Sequence, residues 1–493
     1  MDTHTNYGLF IDGGFREATS GAVFSVFNPA GGTELAKVAA AGAGDVDAAV
    51  SAGARAWKDW WSIAAAERGT LLAAVGRRIA DNRERLARIE SLDTGRVISE
   101  TRMDIDAVAD LFEYFAGVVR SEEETVKRHD PKQMSLILRE PFGVVGAIVP
   151  WNYPFLISGW KIAPALAAGN AIIIKPATLT PLSLLTLAEI LEDVVPRGLL
   201  NVVPGSGREC GEAMLAHPGI GKLSFTGSTE VGRRVAARAA ERVIPATLEL
   251  GGKSANIVFP DADWDRALEA AAMAIMMSQG QVCSAGSRLL VHGDIHDRFL
   301  RELAQLVSEI VVGDPLDDAS RMGPMVSEDQ LQSVCRYIDL GRAEGAKIVA
   351  GGDRLSGGPK GIYDTGPYMA PTIFSEVSTT MRIAQEEIFG PVLVVQRFSS
   401  EEEAVMIAND SAYGLAGAVW TRDISVALRV AQAVRTGTMW VNDYHPVVSG
   451  SPFGGFGESG YGREVHKASL ESYSQYKTIY INIDRSPYGW YRG

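Results

Sequence analysis

Four stretches of the chain hold residues whose type and setting suit chemistry as well as packing. GQVCSAGSR (280–288) places Cys283 among small and polar neighbours, whereas a structural cysteine ordinarily sits in an apolar core. Such a thiol can pack, or it can act as a nucleophile. Gly280 and Gly286 suit the second use, because glycine lets backbone or substrate approach closely. LELGGKSAN (248–256) ends an apolar run on Glu249, with Gly251 and Gly252 following. A carboxylate there either meets solvent or enters a cleft. In a cleft, burial raises its pKa toward that of a general base.

The third stretch, IVPWNYPF (148–155), has Pro150 and Pro154 four apart, which fix a stiff turn and exclude a helix interior between them. Asn152 is then either a turn asparagine bonding its own main chain or an amide donor aimed at a developing oxyanion. In FTGSTEVGR (225–233) a strand runs into Gly227, Ser228 and Thr229, and a helix starts near Glu230. Ser228 can be the cap of an ordinary surface helix. Equally, the free N–H groups of that helix start can receive a pyrophosphate.

The elements around these stretches alternate. Short apolar runs predict buried strands at 144–149, 171–174, 199–203 and 247–250, with helices over 182–195 and 228–241. A second series follows. It has strands at 255–259, 288–291, 392–398 and 416–420, and helices over 265–277, 297–311, 401–407 and 425–434. Earlier, Leu72, Val75, Ile79, Leu86, Ile89 and Leu92 recur at helical spacing and predict a helix over 66–92, stopped by Gly95. Such alternation predicts an α/β protein with parallel sheets covered on both faces. A last strand is expected over 478–483, after all the chemistry.

The chain is too long for one core, with 493 residues, so two or more lobes are expected. Apolar residues make up 46% and charged residues 22%, as in ordinary soluble globular proteins. A net charge of −13 excludes a basic nucleic-acid footprint but leaves room for a local phosphate site. The amino terminus does not read as a secretory signal, and no apolar run reaches the ~18 residues of a membrane span. Three cysteines are too few for a disulfide framework, so a reducing, cytoplasmic setting is expected.

Together, in this order, the four stretches resemble the blocks of the aldehyde dehydrogenase superfamily. EEIFGPV (386–392) and SPFGGFGESGYGRE (451–464) extend the likeness over nearly the whole chain. The resemblance implies two Rossmann-like α/β lobes with a small β oligomerisation extension. Residues 1–121 and 142–250 would form the dinucleotide-binding domain, 251–468 the catalytic domain, and 122–141 and 469–493 the oligomerisation segment of a homodimer or homotetramer. It implies Cys283 as nucleophile, Glu249 as base and Asn152 as oxyanion donor, with Lys161 and Glu464 moving protons. Ile148, Pro150, Trp151, Lys175, Thr178, Gly207, Gly211, Phe225, Gly227, Ser228, Val231, Leu250, Glu387 and Phe389 would hold the dinucleotide. Tyr153, Trp160, Val282, Val447 and Phe453 would line the aldehyde mouth, which suits an aliphatic, aromatic or amino/betaine-type aldehyde.

The cofactor is expected to be NAD⁺ or NADP⁺. Many NAD-preferring members carry glutamate where this chain has Thr178, and threonine does not repel a 2′-phosphate. Competing readings are a coenzyme A-acylating relative, a cysteine hydrolase and a non-catalytic descendant. Glu249 disfavours the first, the lack of histidine in the blocks the second, and the intact Cys283, Glu249 and Asn152 the third. His292 and His296 have a metal-compatible spacing only on a helix, and Gly293 and Asp294 between them predict a turn instead. No metal is expected.

Overall fold

The computed structural model describes residues 6–491. Residues 1–5 and 492–493, the ends of the expected dinucleotide-binding and oligomerisation segments, lie outside the described residues. Five parallel strands centre the first sheet: β1 (Val144–Ile148), β2 (Ala171–Lys175), β3 (Leu200–Val202), β4 (Lys222–Thr226) and β5 (Ala246–Glu249). Their spatial order is β5-β4-β1-β2-β3, with Leu9–Phe10 and Phe15–Arg16 added antiparallel beyond β3. The chain leaves β1 toward β2 and β3, then returns to pair β4 against the other side of β1. That reversal is a topological switch point, where ligands gather at the carboxyl ends of the strands.

The second sheet is built around β6 (Ala255–Val258), β7 (Arg288–His292), β8 (Val392–Phe398) and β9 (Ala416–Trp420). It runs Lys347–Ala350, Thr372–Ser375, β8, β7, β6, β9, Thr438–Val441, all parallel except the first. The strands of both series are nearly continuous apolar runs because both faces are buried, which is why they were readable without alternation. The two sheets are not wholly separate by sequence. Gly460–Tyr461 crosses back and pairs antiparallel with β5, placing Gly460 opposite Glu249.

Two expected helices differ in detail. The 66–92 pattern is two helices, Ala65–Asp81 and Arg83–Thr94, broken where Asn82 leaves helical geometry and bonds the Arg78 carbonyl through its side chain. Apolar spacing survives the break because both helices pack on the same helix, Ile98–Ser121. The 182–195 pattern is helical only over Leu182–Ile190 and closes in turns. Gly95 ends Arg83–Thr94 at φ +78, the left-handed conformation glycine adopts freely.

Thr125–Arg128, Gln133–Pro141 and Ser474–Asn482 form a separate antiparallel sheet. Its outer residues Val126, Tyr476, Ile479 and Tyr480 are exposed. Among the described residues, no helix is long and apolar enough to cross a membrane.

Candidate active site

Cys283 lies on the loop between α3 (Trp264–Met276) and β7, after a short 3-10 turn at Met277–Gly280. Ser278 and Gln279 take φ +50 and +57, which side-chain-bearing residues adopt only under constraint. The constraint is visible around Ser278. Its N–H donates to Glu100 at 3.1 Å, its hydroxyl meets Glu100 at 2.7 Å and Tyr153 at 2.8 Å, and the Arg96 Nε donates to it at 2.7 Å. Arg96 also pairs with Asp104 and lies over the Tyr153 ring at 3.6 Å. A fully buried charge needs such partners.

The turn has a direct consequence for Asn152. Pro154 starts the helix α1 (Pro154–Ala167), leaving Asn152 on the rigid approach to it. Its amide Nδ2 donates to the Gln281 carbonyl at 2.8 Å. That bond ties the asparagine to the cysteine loop, and a primary amide keeps a second N–H for another acceptor.

Glu249 closes β5, directly opposite Thr226 on β4. It is 5% exposed, and neither carboxylate oxygen has a hydrogen-bond partner among the described residues. Burial, reinforced by the neighbouring Glu464, holds its pKa well above the carboxylate range, against the opposing pull of Lys161 and Arg463. Burial and the nearby Glu387 and Glu249 likewise push the Cys283 thiol up to about 12, although Cys283 keeps partial exposure at the cleft surface. Glu387 is pushed to about 7 by burial, partly offset by the Gly252 N–H at 2.9 Å and by Lys253. Gly252 must stay glycine, because a Cβ there would strike the Cys283 carbonyl.

These groups share one cleft of about 740 Å³. Asn152, Glu249, Cys283 and Glu387 all line it. So do the expected cofactor residues Pro150, Trp151, Gly227, Ser228, Leu250 and Phe389, and the expected mouth residues Tyr153, Trp160, Val282, Val447 and Phe453. The Trp160 and Phe453 rings sit 5.3 Å apart, and Trp151 meets Phe389 edge-on at 5.2 Å.

Other expected residues lie off the cleft. Ile148, Lys175 and Phe225 stand abreast at the carboxyl ends of β1, β2 and β4. Thr178 bonds the Gly205 carbonyl at 3.1 Å, and Gly207 and Gly211 bound a short π-helical turn beside Lys175. Val231 is exposed on the first turn of the helix α2 (Thr229–Glu241), whose cap is Ser228. Lys161 and Glu464 are buried behind Glu249 as an ion pair of 3.0 Å. His292 ends β7 and His296 begins a helix, with a turn between.

Sequence reasoning missed Ser278 and its partners Arg96 and Glu100, and Asp104, which pairs with Arg96. The available signal was a cluster of charges between apolar helices, Glu90, Asp93, Arg96, Glu100 and Asp104, all of them buried. Asp443 and His445, in the NDYHP block (442–446), also line the cleft.

The Aldehyde dehydrogenase family model matches residues 15–479. The chain belongs to this family. A betaine aldehyde dehydrogenase of Bacillus subtilis is 42% identical over 487 residues, covering 98% of this chain and 99% of that one. A betaine aldehyde dehydrogenase of Staphylococcus aureus, solved in complex with NAD⁺, superposes with a TM-score of 0.96 at 39% identity, covering 99% of this chain and 97% of that one. An aldehyde dehydrogenase of Bacillus cereus, solved as a point mutant, gives 0.94 at 39% identity and 97% coverage of both chains. This aldehyde dehydrogenase is therefore an NAD(P)-dependent oxidoreductase that works through a cysteine, on the two-lobed α/β fold its sequence led one to expect.

Proposed function

We propose that Cys283 is the nucleophile, Asn152 the oxyanion donor and Glu249 the hydrolytic base of this aldehyde dehydrogenase. The observation that carries the assignment is their convergence on one cleft, with the second Asn152 N–H unspent and both Glu249 oxygens unpartnered among the described residues. Once Cys283 has given its proton to solvent at the cleft surface, sulfur attacks the aldehyde carbon, and the resulting alkoxide is received by Asn152 and the Cys283 backbone N–H. Bound nicotinamide supplies the hydride acceptor, so the carbon left on sulfur is at the oxidation level of a thioester. Glu249 then takes a proton from water, and hydrolysis releases the carboxylic acid. An intact Glu249 favours water over coenzyme A as acceptor.

A dinucleotide fits the residues present. The cleft reaches from Cys283 to the Gly227–Ser228 turn, where the start of α2 offers an anion site. Glu387 and Phe389 would hold the nicotinamide half there, along with Pro150, Trp151 and Leu250. Lys175, Thr178, Gly207 and Gly211 would hold the adenosine half at the ends of β2 and β3, with Ile148, Phe225 and Val231 between. Relatives solved with NAD⁺ support that cofactor, and Thr178, unlike a glutamate, carries no charge to repel the 2′-phosphate of NADP⁺. Thr178→Glu is expected to lower the NADP⁺/NAD⁺ ratio of kcat/KM at least several-fold. An unchanged ratio would remove Thr178 from cofactor choice.

The substrate is a neutral or cationic aldehyde. Among the described residues, the cleft lining contains Asp104, Glu249, Glu387 and Asp443 but neither lysine nor arginine, so nothing there would pair a substrate carboxylate or phosphate. Trp160 and Phe453 offer aromatic faces, which attract a quaternary ammonium. The relatives named for betaine aldehyde support the cationic choice.

Residues 1–121 and 142–250 act as the dinucleotide-binding domain and 251–468 as the catalytic domain. The segments 122–141 and 469–493 carry the contacts of a homodimer or homotetramer, for which the exposed apolar residues of their sheet speak. The cytoplasm suits three cysteines that are all unpaired.

A further inference from the structure

Behind Glu249 the buried polar groups do not end at the Lys161–Glu464 pair. The Lys161 Nζ also donates to the Ser224 hydroxyl at 3.1 Å. Ser224 accepts from the Thr247 hydroxyl at 3.2 Å and from the Tyr473 hydroxyl at 3.1 Å. Thr247 in turn meets the Lys222 Nζ at 3.2 Å, and that ammonium lies 5.1 Å from the centre of the Tyr473 ring. Lys161, Lys222, Ser224 and Tyr473 are each 1% exposed or less, and Thr247 is 7% exposed. Lys222 and Ser224 share a face of β4 by strand alternation, and Ser224 stands opposite Thr247 on β5. The same two strands thus carry Glu249 at one end and a second buried lysine at the other.

We propose that Lys222 is the proton store of this dehydrogenase, reached from Glu249 through Glu464, Lys161, Ser224 and Thr247. The proposal rests on Glu249 being the hydrolytic base. Glu464 lies close enough to raise the Glu249 pKa, although no hydrogen bond joins the two carboxylates at rest. When Glu249 has drawn a proton from water and turned toward Glu464, that proton passes to Glu464, and Glu464 hands one to Lys161 as Lys161 releases one to Ser224. At rest Lys222 donates to Thr247 and Thr247 to Ser224. With both hydroxyls turned the other way, Ser224 passes its own proton to Thr247, and Thr247 passes its own to neutral Lys222. Each hydroxyl gains one proton and loses one. The net result is an ionised Glu249 and a protonated Lys222. The charged and titratable groups around Lys222 are Glu464, Lys161 and Tyr473, with Glu249 and Arg463 one step further on. Burial brings Lys222 down to about 7, so it can accept a proton in the range where the enzyme would work.

The route ends at Lys222 only while that amine is neutral. The parent's advantage should therefore be absent below its pKa and present above it. The test follows hydrolysis of the acyl-enzyme, formed from a simple aliphatic aldehyde, in the parent, Lys222→Met and Ser224→Ala from about pH 6 to about pH 9. Each variant is expected to slow hydrolysis by about tenfold at the alkaline end, less than the ~10²–10⁴-fold of losing a positioned base. The difference should vanish near the acid end, and the double variant should be no slower than either single one. Hydrolysis as fast as the parent's at alkaline pH, or a slowing equal at all pH values, overturns the proposal. Ser224→Ala removes one oxygen and keeps the test open should Lys222→Met not fold. Glu249→Gln, run alongside, separates the two ideas. If it too hydrolyses at the parent's rate, the base assignment itself has failed.

Discussion

Asn152 shows how much one side chain is asked to do. One of its N–H bonds fixes the cysteine loop through Gln281. In the proposed mechanism the other is offered to the alkoxide. Asn152→Ala removes both, so kcat should fall by the ~10²–10³-fold typical of a lost oxyanion donor, about 2.7–4 kcal/mol. Steady-state kinetics checks this. A kcat within twofold of the parent's would show that the oxyanion is held elsewhere. Cys283 and Glu249 form the complementary pair. Burial and the surrounding carboxylates keep the thiol protonated near neutrality, and the same burial makes Glu249 a better proton acceptor.

At the scale of elements, the cysteine loop is held by the helices before it. Ser278 is the meeting point of Arg96, Glu100 and Tyr153, and it sits in a left-handed conformation that those bonds sustain. Ser278→Ala leaves a buried ionic cluster short of a partner and should cost about 1–3 kcal/mol of stability. It should also lower kcat, because the loop then positions Cys283 less firmly. Thermal unfolding together with kinetics reads both. A variant as stable and as active as the parent would show that the turn holds itself.

The parallel strands were legible because burial on both faces leaves unbroken apolar runs between glycines and prolines. Cys283, Glu249 and Asn152 were legible because each stands in a setting unsuited to packing. Ser278 and Lys222 were not. Their partners come from segments 178 and 25 residues away, and a buried charge in sequence looks the same as a solvated one until its partners are in place. The break at Asn82 was invisible for a different reason, since apolar spacing continues across it.

For the whole molecule, two α/β sheets meet so that the carboxyl ends of β1, β4 and β5 face the loop preceding β7. The cleft belongs to neither sheet alone, and Gly460–Tyr461 fastens the later part of the chain to β5 beside Glu249. The third sheet stands apart from this chemistry and exposes Tyr476, Ile479 and Tyr480. Tyr480→Glu should shift the protein toward a smaller assembly in size-exclusion chromatography with light scattering. An unchanged mass would move the contact away from that strand.

The central claim is that one thiol forms an acyl-enzyme and one carboxylate resolves it. The most direct measurement mixes Glu249→Gln with aldehyde and NAD⁺ and follows NADH together with the mass of the protein. The expected result is a burst approaching one NADH per site, a mass increase that Cys283→Ala does not show, and slow release thereafter. Steady turnover by Cys283→Ala, or release from Glu249→Gln at the parent's rate, would contradict it.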